Sequence, residues 1–103
     1  MTWETMLGNY ERLRFGDGLY VLWVWLQATT AIHDEWRWSL ERRWTIDGDN
    51  KTLGTDTAPS EGDAKLEAVR NAKVILTRLA AGGAGVREKV RIEQALKDLE
   101  ALQ

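Results

Sequence analysis

Cysteine is absent from this chain of 103 residues, and proline occurs once, at Pro59. Without cysteine, disulfide scaffolds, thiolate zinc sites and cysteine nucleophiles are all excluded. The longest apolar run falls far short of the ~20 residues that a transmembrane helix needs. The start, Met1–Glu4, also lacks the basic stretch of a signal peptide. We therefore expect a soluble, cytoplasmic protein of one domain that does not bind membranes.

A strong excess of charge of either sign is also absent. The chain has 14 Lys and Arg against 16 Asp and Glu, a net charge of −2. The part before Ser60 holds 6 basic and 9 acidic residues, and the part from Ser60 onward holds 8 and 7. Neither part has the single-sign field of a nucleic-acid binder or of an acidic mimic of DNA. Nucleic acid is therefore not the expected partner.

Motifs of catalytic and metal sites are missing as well, including G-x-S-x-G, the P-loop, the dinucleotide fingerprint and H-E-x-x-H. The one histidine, His33, adjoins Asp34 and Glu35, but a metal site would need further ligands, and a polar loop explains the cluster. The stretch Asp47–Asn50 fails as a calcium loop because Thr52 stands where that loop needs glycine, so we interpret it as a turn. We expect no enzyme activity, no metal and no cofactor.

What the chain does contain is two segments with the period of β-strands. The stretch Glu35–Ile46 alternates between apolar and polar residues, which is typical of a half-buried strand. The earlier stretch Leu19–Leu26 is apolar on both faces, so a one-sided sheet cannot cover it. The apolar face of the later strand consists of Trp36, Trp38, Leu40, Trp44 and Ile46, and the two faces of the earlier strand are Leu19, Val21, Trp23 and Trp25, and Tyr20, Leu22, Val24 and Leu26.

A third, shorter strand is predicted over Lys51–Thr57, after the turn. It ends at Ala58 and Pro59, because proline cannot donate a hydrogen bond to a neighbouring strand.

The first residues fit two structures. A helix is indicated by apolar residues with helical spacing, while a strand over Tyr10–Phe15, turning at Gly16–Gly18 into the apolar run, is the alternative. We expect the helix. Its apolar residues are Trp3, Met6, Leu7, Tyr10 and Leu13.

Two helices are predicted at the end of the chain. The first begins at the N-cap Ser60, with Asp63 at the capping-box position, and ends at the glycine-rich stretch 82–85. The second spans Val86–Leu102. Apolar faces are expected at Ala64, Ala68, Val69, Ala72, Ile75, Leu76 and Leu79, and at Ile92, Ala95, Leu96, Leu99 and Leu102.

Together these elements predict an α+β fold in the order α-β-β-β-α-α, with a three-stranded antiparallel sheet. Residues 1–81 form the core, 82–85 a glycine-rich connection, and 86–103 a C-terminal amphipathic helix of the same domain. We expect the first two helices on the Trp38 face of the sheet. The last helix then covers the opposite face or reaches another copy.

The element order α-β-β-β-α resembles that of the double-stranded RNA-binding domain. In that family a Ser precedes a Lys-Lys-x-Ala-Lys signature whose lysines reach phosphates across the groove. Here Ser60, Ala64 and Lys65 match, while Glu61 and Gly62 replace the lysines. The resemblance implies a fold more than a function. If the chain does bind nucleic acid, the expected contacts are Lys65, Arg70 and Lys73.

A second resemblance is carried by the pair Trp36 and Trp38, the turn 54–60 and the alanine-rich helix that follows. This combination is similar to small proteins encoded by bacteriophages and prophages, which share no single activity. The resemblance implies a small phage-type accessory protein. We predict a non-enzymatic protein that binds itself or a host protein.

Two apolar surfaces are predicted to need a partner: the second face of the first strand and the stripe of the last helix. They can satisfy each other within one chain or between two chains in a two-fold homodimer, and we favour the dimer. The predicted partner-binding residues are Tyr20, Leu22, Val24, Leu26, Ile92, Leu96, Leu99 and Leu102.

Overall fold

A computed structural model describes residues 2–8, 10–27, 35–44 and 50–102 of the chain. The interpretations of His33, Asp34 and the turn at 47–49 fall outside these residues. The strands are β1 (Glu4–Thr5), β2 (Tyr10–Phe15), β3 (Tyr20–Gln27), β4 (Glu35–Arg43) and β5 (Asn50–Ala58), and the helices are α1 (Glu61–Ala81) and α2 (Val86–Ala101).

The described strands form a single antiparallel sheet in the order β1-β2-β3-β4-β5, so each strand lies beside its neighbours in the chain. The α+β class and the antiparallel sheet are therefore confirmed. The predicted strand number and element order are wrong, because the sheet has five strands rather than three and all of them precede the helices.

The predicted N-terminal helix is replaced by β1 and β2. The strand alternative for Tyr10–Phe15 is confirmed, and all six of its residues pair with β3, from Tyr10 opposite Trp25 to Phe15 opposite Tyr20. The turn between them holds Gly16 and Gly18 at φ 59° and 78°, which glycine adopts without steric cost. Helical spacing was misleading here, because pairing with the apolar β3 is a long-range interaction that local periodicity does not register.

Both helices pack on the same face of the sheet, which we call the covered face. The pairs Leu22 opposite Leu40 and Val24 opposite Trp38 place residues of β3 and β4 on this face together. The expectations that Tyr20, Leu22, Val24 and Leu26 lie opposite the Trp38 face, and that the last helix covers that opposite face, are therefore wrong. The buried cluster consists of Leu13, Phe15, Tyr20, Leu22, Val24, Trp38, Leu40, Ala58, Ala64, Ala68, Ala72, Leu76, Ile92, Ala95 and Leu99.

Helix α1 begins as the sequence predicts. The Ser60 hydroxyl oxygen accepts a hydrogen bond from the Asp63 backbone N–H at 3.1 Å, which satisfies one of the free donors of the first turn. The alanines of its sheet-facing side let the helix lie close to the strands. At Gly54 an added Cβ would lie 2.6 Å from Cδ1 of Ile75, so glycine is what permits this approach.

Helix α2 is attached to the sheet by two polar contacts. Glu88 receives two hydrogen bonds from the Arg42 guanidinium, at 2.9 and 3.1 Å, and one from the Tyr20 hydroxyl at 2.6 Å. Nearer the end of the helix, Asp98 accepts a bond from the backbone N–H of Gly16 at 2.8 Å. These contacts fix the orientation of the helix, since charged hydrogen bonds are directional and roughly twice as strong as neutral ones.

The charges in the first contact shift one another's titration. The hydrogen bonds from Arg42 lower the pKa of Glu88 against the opposing effect of burial, and the bond from Tyr20 adds to this lowering. Burial, together with the adjacent carboxylate, raises the pKa of Tyr20. At neutral pH, Glu88 is therefore ionised, Arg42 is charged and the Tyr20 hydroxyl keeps its proton. The prediction that Trp44 shares the buried face is wrong, because Trp44 lies beyond the last residue of β4 and is 57% exposed, with the Arg42 guanidinium 4.5 Å from the centre of its ring.

Candidate binding face

The other side of the sheet, which we call the uncovered face, has no helix on it among the described residues. Because side chains alternate along each strand, the residues beside the buried ones point away from the helices. Their chemistry is mixed, with aromatic, basic, acidic and hydroxyl groups. The uncovered face comprises Glu4, Tyr10, Arg12, Arg14, Val21, Trp23, Trp25, Arg37, Ser39, Glu41, Arg43, Asn50, Thr52, Thr55 and Thr57.

Three aromatic rings form a cluster on this face. Tyr10 stacks on Trp25 with ring centroids 5.8 Å apart and an interplanar angle of 14°. It also meets Trp23 edge-on at 6.3 Å and 85°. Tyr10 is 44% exposed and both tryptophans are half-buried, so part of each side chain is accessible to solvent. Cross-strand aromatic contacts of this kind hold the rings in place before any partner binds.

The cluster forms the wall of an open cleft of about 410 Å³. Met6 and Leu7, which follow β1, line one side of the cleft, and Leu7 is 96% exposed. A hydrogen bond of 2.8 Å from the Met6 backbone N–H to the Tyr10 carbonyl oxygen holds this segment against β2. The lining residues are Met6, Leu7, Tyr10, Trp23, Trp25, Ser39 and Glu41.

Charges of both signs surround the cluster. Glu4 forms ion pairs with Arg14 at 3.2 Å and Arg12 at 3.4 Å, and the guanidinium of Arg12 lies 5.9 Å from the centre of a Trp23 ring. Partial desolvation raises the pKa of Glu4, but the charges of Arg14 and Arg12 outweigh it and lower the pKa overall. Farther along the sheet, Glu41 accepts a hydrogen bond from the Asn50 side chain at 3.2 Å. The face therefore has no region of a single sign among these residues.

The residues predicted to bind a partner lie elsewhere, in the core between the sheet and the two helices. Tyr20, Leu22 and Val24 are buried on the covered face, and Ile92 and Leu99 are buried with them. The remaining three, Leu26, Leu96 and Leu102, are half-buried. Both predicted surfaces are therefore covered within one chain, with α1 packed on β3 and α2 packed on α1 and β2.

The alternative nucleic-acid residues line a second cleft of about 400 Å³ beside α1. Lys65 forms ion pairs there with Glu11 at 2.8 Å and Glu61 at 3.2 Å, and its ammonium lies 5.4 Å from the centre of a Trp3 ring. Its charge is therefore already matched within the chain. The cleft is lined by Trp3, Lys65, Leu66, Val69, Arg70, Lys73 and Leu102.

Sequence reasoning did not find the aromatic cluster. It expected Tyr10 on a helix and assigned the tryptophans of β3 to the core. The available signal was the apolar character of both faces of β3, combined with the strand alternative for Tyr10–Phe15.

Neither α1 nor α2 combines the length and the apolar character needed to cross a bilayer. Within the described ranges, no three His, Cys, Asp or Glu side chains group as a metal site would require. Comparison with protein-family models, curated proteins and solved structures finds no match for this chain.

Proposed function

We propose that this chain is a non-enzymatic protein-binding module and that it binds its partner through the uncovered face. The observation that carries the proposal is the preassembled cluster of Tyr10, Trp23 and Trp25, with a cleft beside it. Tyrosine, tryptophan and arginine are the residues that most often dominate the binding energy of protein interfaces. A cluster whose rings already contact one another loses little conformational entropy on binding.

The charge pattern supports a protein partner over a polyphosphate. Arg12 and Arg14 already pair with Glu4, so the face offers positive and negative groups in alternation. Such a pattern can match a protein surface of complementary charge, which gives specificity as well as affinity. A small phage-type accessory protein in the cytoplasm, as the sequence predicts, is the setting we propose for such a module.

One observation favours a second candidate function. Half-exposed rings on an open sheet, with arginines nearby, can stack on the bases of single-stranded nucleic acid. Phosphate contacts release counterions, so binding of this kind must weaken steeply as salt rises. Titration of labelled single-stranded RNA and DNA, and of duplexes, at low and physiological salt distinguishes the two candidates. We expect no submicromolar binding at physiological salt, and such binding would favour the second candidate.

The main experiment compares three forms of the chain as bait in the source cell: the parent, a Tyr10→Ser/Trp25→Ser variant, and Val90→Ser as control. Val90 is 61% exposed on α2, so the control removes an apolar surface residue away from the uncovered face. Proteins that the parent and control retain and the double variant loses are candidate partners. Each is then purified, and its Kd for the three forms is measured.

We expect the double variant to bind at least about tenfold more weakly than the parent, since aromatic anchors at interface centres each contribute 1 kcal/mol or more. Circular dichroism and thermal melting of the double variant show whether it has kept its fold. A folded double variant that binds the purified partner as tightly as the parent would refute the proposed face.

A further inference from the structure

Strand β5 presents a long, unpaired edge. It lies last in the sheet, and its outer side pairs with no strand among the described residues. The opposite edge is formed by β1, which has two residues, whereas β5 has nine. Unpaired N–H and C=O groups along a strand of that length are a template for pairing with another strand.

The register shows which side of the sheet each β5 residue occupies. Thr52 and Thr55 lie opposite Glu41 and Ser39, on the uncovered face. On the covered face, Lys51 lies opposite Arg42 and Asp56 lies opposite Trp38. The register shift between Leu40 and Glu41 inserts one extra residue into β5, and this changes the alternation midway along the strand.

We propose that β5 pairs antiparallel with β5 of a second copy, about a two-fold axis that passes between Leu53 and Gly54. This pairing places Lys51 opposite Asp56 of the partner, and Thr52 opposite Thr55 of the partner. By symmetry each pair forms twice. Opposite charges and paired threonines are both favourable cross-strand neighbours.

The faces agree with this pairing. Residues directly opposite each other in a sheet must point to the same side. Lys51 and Asp56 both belong to the covered side, and Thr52 and Thr55 both belong to the uncovered side. Without the extra residue in β5, a pair separated by five positions would point to opposite sides. The irregularity that disturbs pairing with β4 is thus what makes the strand self-complementary.

Self-complementarity is the reason for choosing a second copy as the occupant. In a two-fold interface the same strand must supply both members of every pair, and β5 carries its single basic residue and its single acidic residue at symmetric positions. Both Lys51 and Asp56 are exposed. One carboxylate oxygen of Asp56 accepts a hydrogen bond from the Thr57 backbone N–H at 2.8 Å, and the carboxylate has a second oxygen for the contact with Lys51. The dimer has one continuous sheet with all helices on one side, and its two uncovered faces lie side by side. The proposal does not depend on the proposed function.

A charge-swap series tests the proposal. Sedimentation equilibrium across micromolar concentrations measures dimerisation of the parent, of Lys51→Asp, of Asp56→Lys, and of the double variant that exchanges both charges. Each single variant places like charges opposite each other twice, so we expect at least about tenfold weaker dimerisation. The double variant restores opposite charges and should recover most of the parent's affinity.

The matched control is Lys89→Asp, which makes the same charge reversal at an exposed position on α2. It should dimerise as the parent does. A parent that stays monomeric at all concentrations overturns the proposal. So do single variants that dimerise as strongly as the parent, or a double variant that recovers nothing, because either result places the two charges apart.

Discussion

The two faces of one sheet differ in what they contact and in how far their charged side chains are buried. On the covered face, Leu13, Leu22 and Leu40 have no measurable exposure. On the uncovered face, Tyr10 is 44% exposed and its tryptophan neighbours are half-buried. Both faces are built from the same strands, so the difference arises from alternation along the chain. The helices cover the aliphatic side, and the side with stacked aromatic rings and arginines is left open.

The charged groups show the same contrast. Arg42 on the covered face is 3% exposed, and the carboxylate of Glu88 binds it through two hydrogen bonds. Arg14 on the uncovered face pairs with Glu4, but both side chains remain accessible to water. Buried pairs depend strongly on both partners, whereas exposed pairs contribute little to stability. The buried charge of Arg42 is therefore structural, whereas the exposed charges of Glu4 and Arg14 remain available to a partner.

The largest expected effect is the difference in stability between alanine variants of two tryptophans, one on each face. Trp38→Ala removes a buried aromatic side chain and should lower the free energy of unfolding by about 3–5 kcal/mol. Trp25→Ala, on the uncovered face, should lower it by only about 1–2 kcal/mol, because the ring is half-buried. Denaturant unfolding followed by circular dichroism measures both. Equal losses for the two variants would mean that the faces are not distinct in packing.

A second prediction concerns the buried charge. Glu88→Gln leaves Arg42 buried beside a neutral partner and should cost about 2 kcal/mol at neutral pH. The matched change on the uncovered face, Glu4→Gln, should leave the free energy of unfolding nearly unchanged, since exposed pairs contribute little.

The pH dependence of stability gives a more specific test of the role of Glu88. Because the folded-state pKa of Glu88 is lowered, its stabilising contribution is present above the ordinary carboxyl pKa and is lost as pH falls through the folded-state value. Unfolding measured at neutral and acid pH should therefore show the gap between parent and Glu88→Gln shrinking in acid. If the difference in unfolding free energy between the parent and Glu88→Gln stays constant with pH, the stabilising contribution does not come from the ionised carboxylate of Glu88.

The smallest expected effects are the changes in stability when two glycines are replaced by alanine. Gly54→Ala forces Cδ1 of Ile75 to move and should cost about 1–2 kcal/mol, since α1 packs closely on β5 there. Gly62→Ala in the first turn of α1 meets open space and should stabilise the protein by about 0.5–1 kcal/mol. Thermal unfolding resolves the opposite signs. Adding Ile75→Val to Gly54→Ala should recover part of the loss, and no recovery would place the strain elsewhere.

Several elements could be predicted from the sequence because their signals are local. The alternation from Glu35 onward indicated β4, and Ser60 with Asp63 marked the start of α1. The spacing of Ile92 and Leu99 identified the buried side of α2. In each case the pattern repeats within a few residues, so neighbouring side chains suffice to identify the element.

The N-terminal strands and the candidate face could not be predicted in the same way. Because both faces of β3 are apolar, local pattern does not tell which one the helices cover. The pairing of Val24 with Trp38 decides this, and pairing is a property of two strands together. Arg42 follows the apolar residues Trp38 and Leu40 on the covered side of β4, and its burial becomes understandable only with Glu88, which lies 46 positions later in the chain.

The sequence by itself thus determined the class of the fold, the strands β3 to β5, and both helices with most of their buried residues, although Leu79 of the predicted face is 40% exposed. The tertiary structure alone decided that Tyr10 lies on a strand, that Trp23 and Trp25 face away from the helices, and that α2 packs on its own chain. The physical reason is that amphipathic periodicity is encoded along the chain, whereas the register of strands and the choice between two apolar faces depend on residues far apart in sequence.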